Sequence, residues 1–161
     1  RVLTKRCEKA CRSGNLQLVQ LLVSHHAKLD VYTNDELERN APIHEAVLDP
    51  RNGPVVEYLI QQGCPVDLTN GLNRTPLHRA AYRGFTFLVQ LLVHYGANVN
   101  AIDCNGRSPL HWAVFWNQEA TCQVLLSAGA NPNIRDKLNK TCIHFAKFKK
   151  FPALVALLEG R

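Results

Sequence analysis

Apolar positions along this chain recur in short helical bursts, never in long runs. Leu77, Ala80 and Ala81 fall at the three- and four-residue spacing of one helix face. After a break at Arg83-Gly84, Leu88, Leu91 and Leu92 repeat that spacing. The pattern predicts two short helices joined by a tight turn. Thr75-Pro76 is a start signal, because the hydroxyl can cap the first turn and the proline's missing N–H costs nothing there. Gly96 supplies the left-handed residue that ends the second helix. Residues 100–107, with Asn105-Gly106 inside, read as a hairpin-like turn leading to Ser108-Pro109.

This two-helix unit recurs. The tetrapeptides Ala41-Pro42-Ile43-His44, Thr75-Pro76-Leu77-His78, Ser108-Pro109-Leu110-His111 and Thr141-Cys142-Ile143-His144 align, their histidines spaced by 34, 33 and 33 residues. Leu59-Ile60, Leu91-Leu92, Leu125-Leu126 and Leu157-Leu158 follow in phase, as do Gly63, Gly96-Ala97 and Gly129-Ala130. A period held at so many anchors marks a stacked repeat. Five units are expected, at about 4–36, 37–69, 70–102, 103–135 and 136–161. Unit 1 carries Lys5-Arg6-Cys7-Glu8 in place of the tetrapeptide, and polar substitutions suit a terminal unit with one face in water. Thr33 to Glu38 lengthens the turn between units 1 and 2, and Asp49 to Pro54 enlarges the loop inside unit 2. Unit 5 is expected to stop just before its glycine, as a cut or covered end would.

Composition adds limits. An apolar fraction of 46% is that of a folded soluble chain, and no apolar run approaches the roughly 18 residues of a membrane span. With no methionine and no secretory leader, the chain reads as a piece of a longer protein. The six cysteines show no paired or zinc spacing and suit small buried residues in a reducing compartment. Net charge is +6, but it is banded. Residues 30–67 hold eight acids against Arg39 and Arg51, whereas residues 70–161 hold eleven bases against four acids. That banding argues against a continuous nucleic-acid-binding stripe.

Candidate chemistry is sparse. Phosphate-loop, nucleophile-elbow and zinc-protease motifs are missing from the sequence. The four in-phase histidines should stand a unit apart, too far to converge on one metal. No catalytic residue, cofactor or metal is expected. What the repeat does not need is more telling. In unit 4, Leu110, Ala113 and Val114 form one apolar face, while Trp112, Phe115 and Trp116 form a second. A helix apolar on two sides must be packed on two sides or offer one to a partner. Phe145 and Phe148 repeat the arrangement in unit 5, and Arg79, Tyr82 and Arg83 occupy it in unit 3.

The T-P-L-H-x-A-A and G-A-x-V-N segments resemble the ankyrin repeat over nearly the whole chain. The resemblance implies an all-α solenoid of about five helix-turn-helix units with β-turn fingers. It also implies a structural hydrogen-bonding role for His44, His78, His111 and His144. Carried over position by position, its groove-lining sites fall on Arg12 and Ser13, Leu48 and Asp49, Tyr82 and Arg83, Phe115 and Trp116, and Phe148 and Lys149. The residues before each helix start add Asn40, Arg74, Arg107 and Lys140. Units 3 to 5 would thus present an aromatic strip of Tyr82, Phe115, Trp116 and Phe148, with Trp112 beside it. Arg74, Arg107 and Lys140, with Arg83 and Lys149, would form a basic ladder alongside.

The expected function is a non-catalytic scaffold or adaptor module, monomeric, in cytosol or nucleus, gripping an acidic and apolar segment of another protein. By analogy with ankyrin proteins that carry a SOCS box, it would recruit substrates in a ubiquitin-ligase (Ubl conjugation) pathway. Alternatives are nucleic-acid or phosphate binding through Arg135, Lys137, Lys140, Lys147, Lys149 and Lys150, or regulation of a tethered enzyme. Asn100 and Asn133 loosely match the asparagine that is hydroxylated in some family members.

Overall fold

The computed structural model describes residues 2–30, 32 and 38–160; the expected lengthening at 33–37 and the border between units 1 and 2 lie outside them. Ten α-helices are found among the described residues, with no strand. The first helices of the five units are α1 (Val2–Ser13), α3 (Pro42–Ala46), α5 (Pro76–Arg83), α7 (Pro109–Phe115) and α9 (Cys142–Phe148). Their partners are α2 (Leu16–Ser24), α4 (Gly53–Gln61), α6 (Thr86–His94), α8 (Glu119–Ser127) and α10 (Pro152–Leu158). Each first helix packs on the next first helix, and each second helix on the next second helix, giving a two-layer stack.

One side chain set makes the core. Leu77, Leu88, Leu92, Leu110, Leu125 and Leu154 are fully buried, and the alanines at 80, 81, 113 and 146 let neighbouring first helices approach closely. Every such leucine removed from water contributes about 1.5–3 kcal/mol, so the stack is stabilised chiefly by apolar contacts between consecutive units. The turn between paired helices needs a left-handed residue, supplied by Gly84 (φ +70°) in unit 3, Asn117 (+57°) in unit 4 and Lys150 (+58°) in unit 5. Unit 2 instead inserts a 3₁₀ turn at Pro50–Asn52, capped by Asp49. Its extra length has a use: Asn52 Nδ2 donates to Cys11 O (3.0 Å) and Ala46 O (2.9 Å), tying α3 to α1. The end of unit 5 corrects the sequence reading. Gly160 (φ +70°) closes α10, its N–H 3.3 Å from Leu157 O, because that helix is short enough to bring the glycine forward.

The histidines knit the units together. In each of the last four units the ring Nδ1 accepts the N–H of the residue before the helix: Ala41, Thr75, Ser108 or Thr141. The proton therefore sits on Nε2, which donates to a carbonyl of the following unit. His44 reaches Arg74 O at 3.0 Å, His78 reaches Arg107 O at 3.0 Å and His111 reaches Lys140 O at 3.4 Å. Burial pushes His44 and His78 down to about 4 and lowers His111 as well. His144, with no such onward bond among the described residues, stands exposed.

Cys7, Cys11, Cys64, Cys122 and Cys142 are buried and Cys104 is half-buried; all are free thiols. Burial pushes Cys64 and Cys122 up to about 12. An aromatic-disulfide reagent should therefore label Cys104 ahead of the others in the native protein, and all six only after denaturation. Prompt reaction of every thiol without denaturant would contradict this packing.

Candidate interaction groove

Each finger is locked by one side chain. Asn70, Asp103 and Asp136 use Oδ1 to accept the N–H groups two and four residues on, so Arg74, Arg107 and Lys140 are held at the rim of the next helix. The rings of the first helices stand beside two of these cations, Arg74 and Arg107. There the aromatic residues do meet. Tyr82 stands edge-on to Trp112 (6.0 Å between ring centres) and to Trp116 (5.0 Å). Phe115 contacts Trp116 at 5.7 Å and Phe145 at 5.9 Å, so rings run without a break from unit 3 to unit 5. Offset and edge-on pairs of this kind are each worth about 0.5–1.5 kcal/mol beyond burial.

Members of the row differ in availability. Trp112 is half-buried and anchored, its Nε1 donating to Asp103 Oδ2 at 3.1 Å. Trp116 keeps 48% of its surface exposed and Phe148 81%. Phe148 has no ring neighbour among the described residues, so it stands outside the row of touching rings.

The basic residues interleave with the rings rather than standing beside them. Arg74 lies 4.5 Å over Trp112, Arg107 lies 5.7 Å from Trp112 and 5.3 Å from Phe145, and Lys149 lies 4.3 Å over Phe115. Arg83 covers Tyr82 at 5.4 Å. Two rungs are also neutralised. Arg74 is 3.5 Å from Glu38 and 3.8 Å from Asp103, and Arg107 is 3.3 Å from Asp136. Both side chains are only 23% exposed, whereas Arg83, Lys140 and Lys149 are open to solvent. Reversing Arg107 would set two carboxylates against each other and test folding, so the exposed cations are the cleaner probes of binding.

Three acidic residues outside the expected set belong here. Glu38 reaches across from the loop before α3 to Arg74 and to Arg79 (3.1 Å). Burial lowers the Arg79 pKa, Glu38 partly offsetting that effect. Asp103 and Asp136 carry a sequence signal, since each follows its arginine by 29 residues and shares the repeat's phase. Glu38 carries none.

The groove positions of units 1 and 2 are occupied internally. Arg12 pairs with buried Glu45, which also accepts Asn40 Nδ2 at 3.0 Å. Ser13 bonds back to Ala10 O, and Asp49 pairs with Arg51; Leu48 is half-buried. Asn100 bridges units 3 and 4, accepting Asn131 N–H at 2.8 Å. Among the described residues no three His, Cys, Asp or Glu side chains gather to hold a metal, and no helix is long and apolar enough to cross a membrane. A hollow of about 590 Å³ on α9 and α10, lined by Phe151, Pro152 and Val155, lies apart from the groove.

Residues 43–136 match the family profile described as ankyrin repeats (3 copies), and the chain belongs to the ankyrin-repeat family, whose members are protein–protein interaction modules. A curated relative, the palmitoyltransferase AKR1 of Lachancea kluyveri, is 33% identical over 88 residues. That match covers 54% of this chain and 12% of the relative, so the chain spans a small part of the relative's length and the transferase name stays with that protein.

Proposed function

We propose that units 3 to 5 hold an extended segment of another protein along the aromatic row, the domain serving as a non-catalytic recruiting module. The observation that carries this reading is the unbroken row from Tyr82 to Phe145, with Trp116 and Phe148 exposed and flanked by the cations Arg83 and Lys149. Exposed aromatic side chains beside arginine are what binding hot spots are made of. First helices packed about 8–10 Å apart would pass roughly three residues of extended chain per unit, at about 3.3–3.6 Å each. The segment would thus offer an apolar side chain at about every third position, with acidic residues between them for the cations. The pairing of Arg74 and Arg107 with carboxylates favours a protein over a phosphate backbone, because a backbone needs a run of free cations one after another, whereas a protein segment needs a cation only where it carries an acid. Free, mostly buried thiols suit a reducing compartment, consistent with action in cytosol or nucleus.

Capture on the immobilised domain tests this. Phe148→Ser with Lys149→Glu should abolish retention of a partner that survives nuclease treatment. Gln90→Glu with Gln123→Glu, on exposed positions of α6 and α8, should leave it intact. Equal loss in both pairs, in neither, or capture that nuclease removes, would contradict the groove.

A further inference from the structure

Glu38, Arg74, Arg79, Tyr82, Trp112 and Trp116 surround a cavity of about 370 Å³ at the unit 3 end of the aromatic row. Its volume falls within the usual range for small-ligand pockets, so it can take a side chain and not only an ion. Two guanidinium groups converge there. Glu38 bridges them, Oε1 standing 3.5 Å from Arg74 Nη1 and Oε2 3.1 Å from Arg79 Nη2. The protein itself therefore shows that a carboxylate fits between the pair.

One carboxylate leaves the pair unfilled. Arg74 Nε and Arg79 Nη1 are buried and have no hydrogen-bond acceptor among the described residues. Buried donors on a charged group are costly to leave unmet and are normally satisfied. The nearby Asp103 cannot turn to them freely, since it already accepts Trp112 Nε1 and the N–H groups of Asn105 and Arg107. Charge points the same way. Arg74, Arg79 and Arg83 line the cavity against a single carboxylate, Glu38, with Asp103 and Glu45 set behind that lining, so an incoming anion meets more cations than carboxylates at the wall. An aromatic cage for a cation is further disfavoured because Arg74 already lies 4.5 Å over the Trp112 ring.

We propose that this cavity is the subsite for an acidic side chain of the bound segment, an aspartate or glutamate that displaces Glu38 and, as the guanidinium groups turn into the opening, supplies the acceptor that Arg74 Nε and Arg79 Nη1 lack. The adjoining apolar residue of the segment packs on Tyr82 and Trp116. The assignment rests on the groove reading above and adds its specificity. Glu38 is an internal competitor: it holds the guanidinium faces when the groove is empty and repels the incoming carboxylate when it is not.

Selection of a displayed random-peptide library on the domain, with Trp116→Ala as the groove control, tests the two readings separately. The subsite is supported if peptides that depend on Trp116 carry an aspartate or glutamate beside an apolar residue. Arg79→Gln should then weaken them about tenfold, the scale of a lost charge-assisted contact. Glu38→Gln should tighten them by about threefold, a modest like-charge effect, and this second variant keeps the test open if Arg79→Gln folds poorly. Trp116-dependent peptides with no acidic preference, or with lysine or arginine enriched, would overturn the subsite and leave the groove standing. If no selected peptide depends on Trp116, the groove reading falls and the subsite falls with it.

Discussion

Lowering the pH from 6.5 to about 4 should remove about 5 kcal/mol of stability, roughly 2.5 kcal/mol from each of His44 and His78. Both rings are buried, and each accepts a backbone N–H at Nδ1 while donating from Nε2 to the next unit. Protonating Nδ1 would turn that acceptor into a donor facing an N–H. The folded pKa therefore lies below the unfolded value near 6.5, and the unfolded chain takes up protons first as pH falls. Stability is fully present above about pH 6.5, declines through the window to about 4 and levels off below it as far as these two groups are concerned. His111, shifted in the same direction, steepens the decline. Against a typical total of about 5–15 kcal/mol, the loss is large enough to unfold the stack. Urea midpoints followed by helical circular dichroism at successive pH values would measure it. A stability constant from pH 7 to 4.5 would contradict the histidine ladder.

Trp116→Ala should weaken partner binding about 30-fold, or roughly 2 kcal/mol, while the fold keeps its helices and loses little beyond two edge-on ring pairs, about 1–3 kcal/mol in all. The asymmetry follows from position. Trp116 is the residue that closes α7, its N–H bonds Trp112 O at 3.2 Å whatever its side chain, and its indole meets Tyr82 and Phe115 only along ring edges. Trp112→Ala should cost the fold more than Trp116→Ala does. That side chain is bonded to Asp103 and lies under Arg74 and Arg107, so its loss disturbs the junction of units 3, 4 and 5. Calorimetric titration and thermal melts on both variants separate the cases. A Trp116→Ala protein that binds normally, or melts far below the wild type, would place the residue in the packing and not in the site.

The repeat was legible because each of its anchors has a local cause. Thr75-Pro76 starts a helix, Gly96 ends one, and Leu88 and Leu92 can only share a face, so the period carries the stack without long-range information. The left-handed turns were less legible where other residues fill them: His26 (φ +63°) stands where later units have glycine, and Lys150 (+58°) stands where unit 3 has Gly84. Gly160 was misplaced because a shorter final helix shifts the phase that Gly63, Gly96 and Gly129 keep. In the groove, the strip of rings was readable from helical spacing, but the charge state of the ladder was not. Arg74 and Arg107 look like free cations until Asp103 and Asp136 are brought up from the next unit. Glu38 was invisible, because nothing in its own neighbourhood points to Arg79, which meets it only through the stacking of units 2 and 3.

The two tryptophans of the chain, Trp112 and Trp116, both lie in the proposed groove, which makes intrinsic fluorescence a reporter for that face alone. The most direct measurement is an emission titration with a captured partner segment free of tryptophan, run beside calorimetry that detects binding anywhere on the surface. The expected result is a saturable change in emission with the same midpoint as the heat signal. Full calorimetric binding with unchanged emission would contradict the groove of units 3 to 5 as the place where this protein holds its partner.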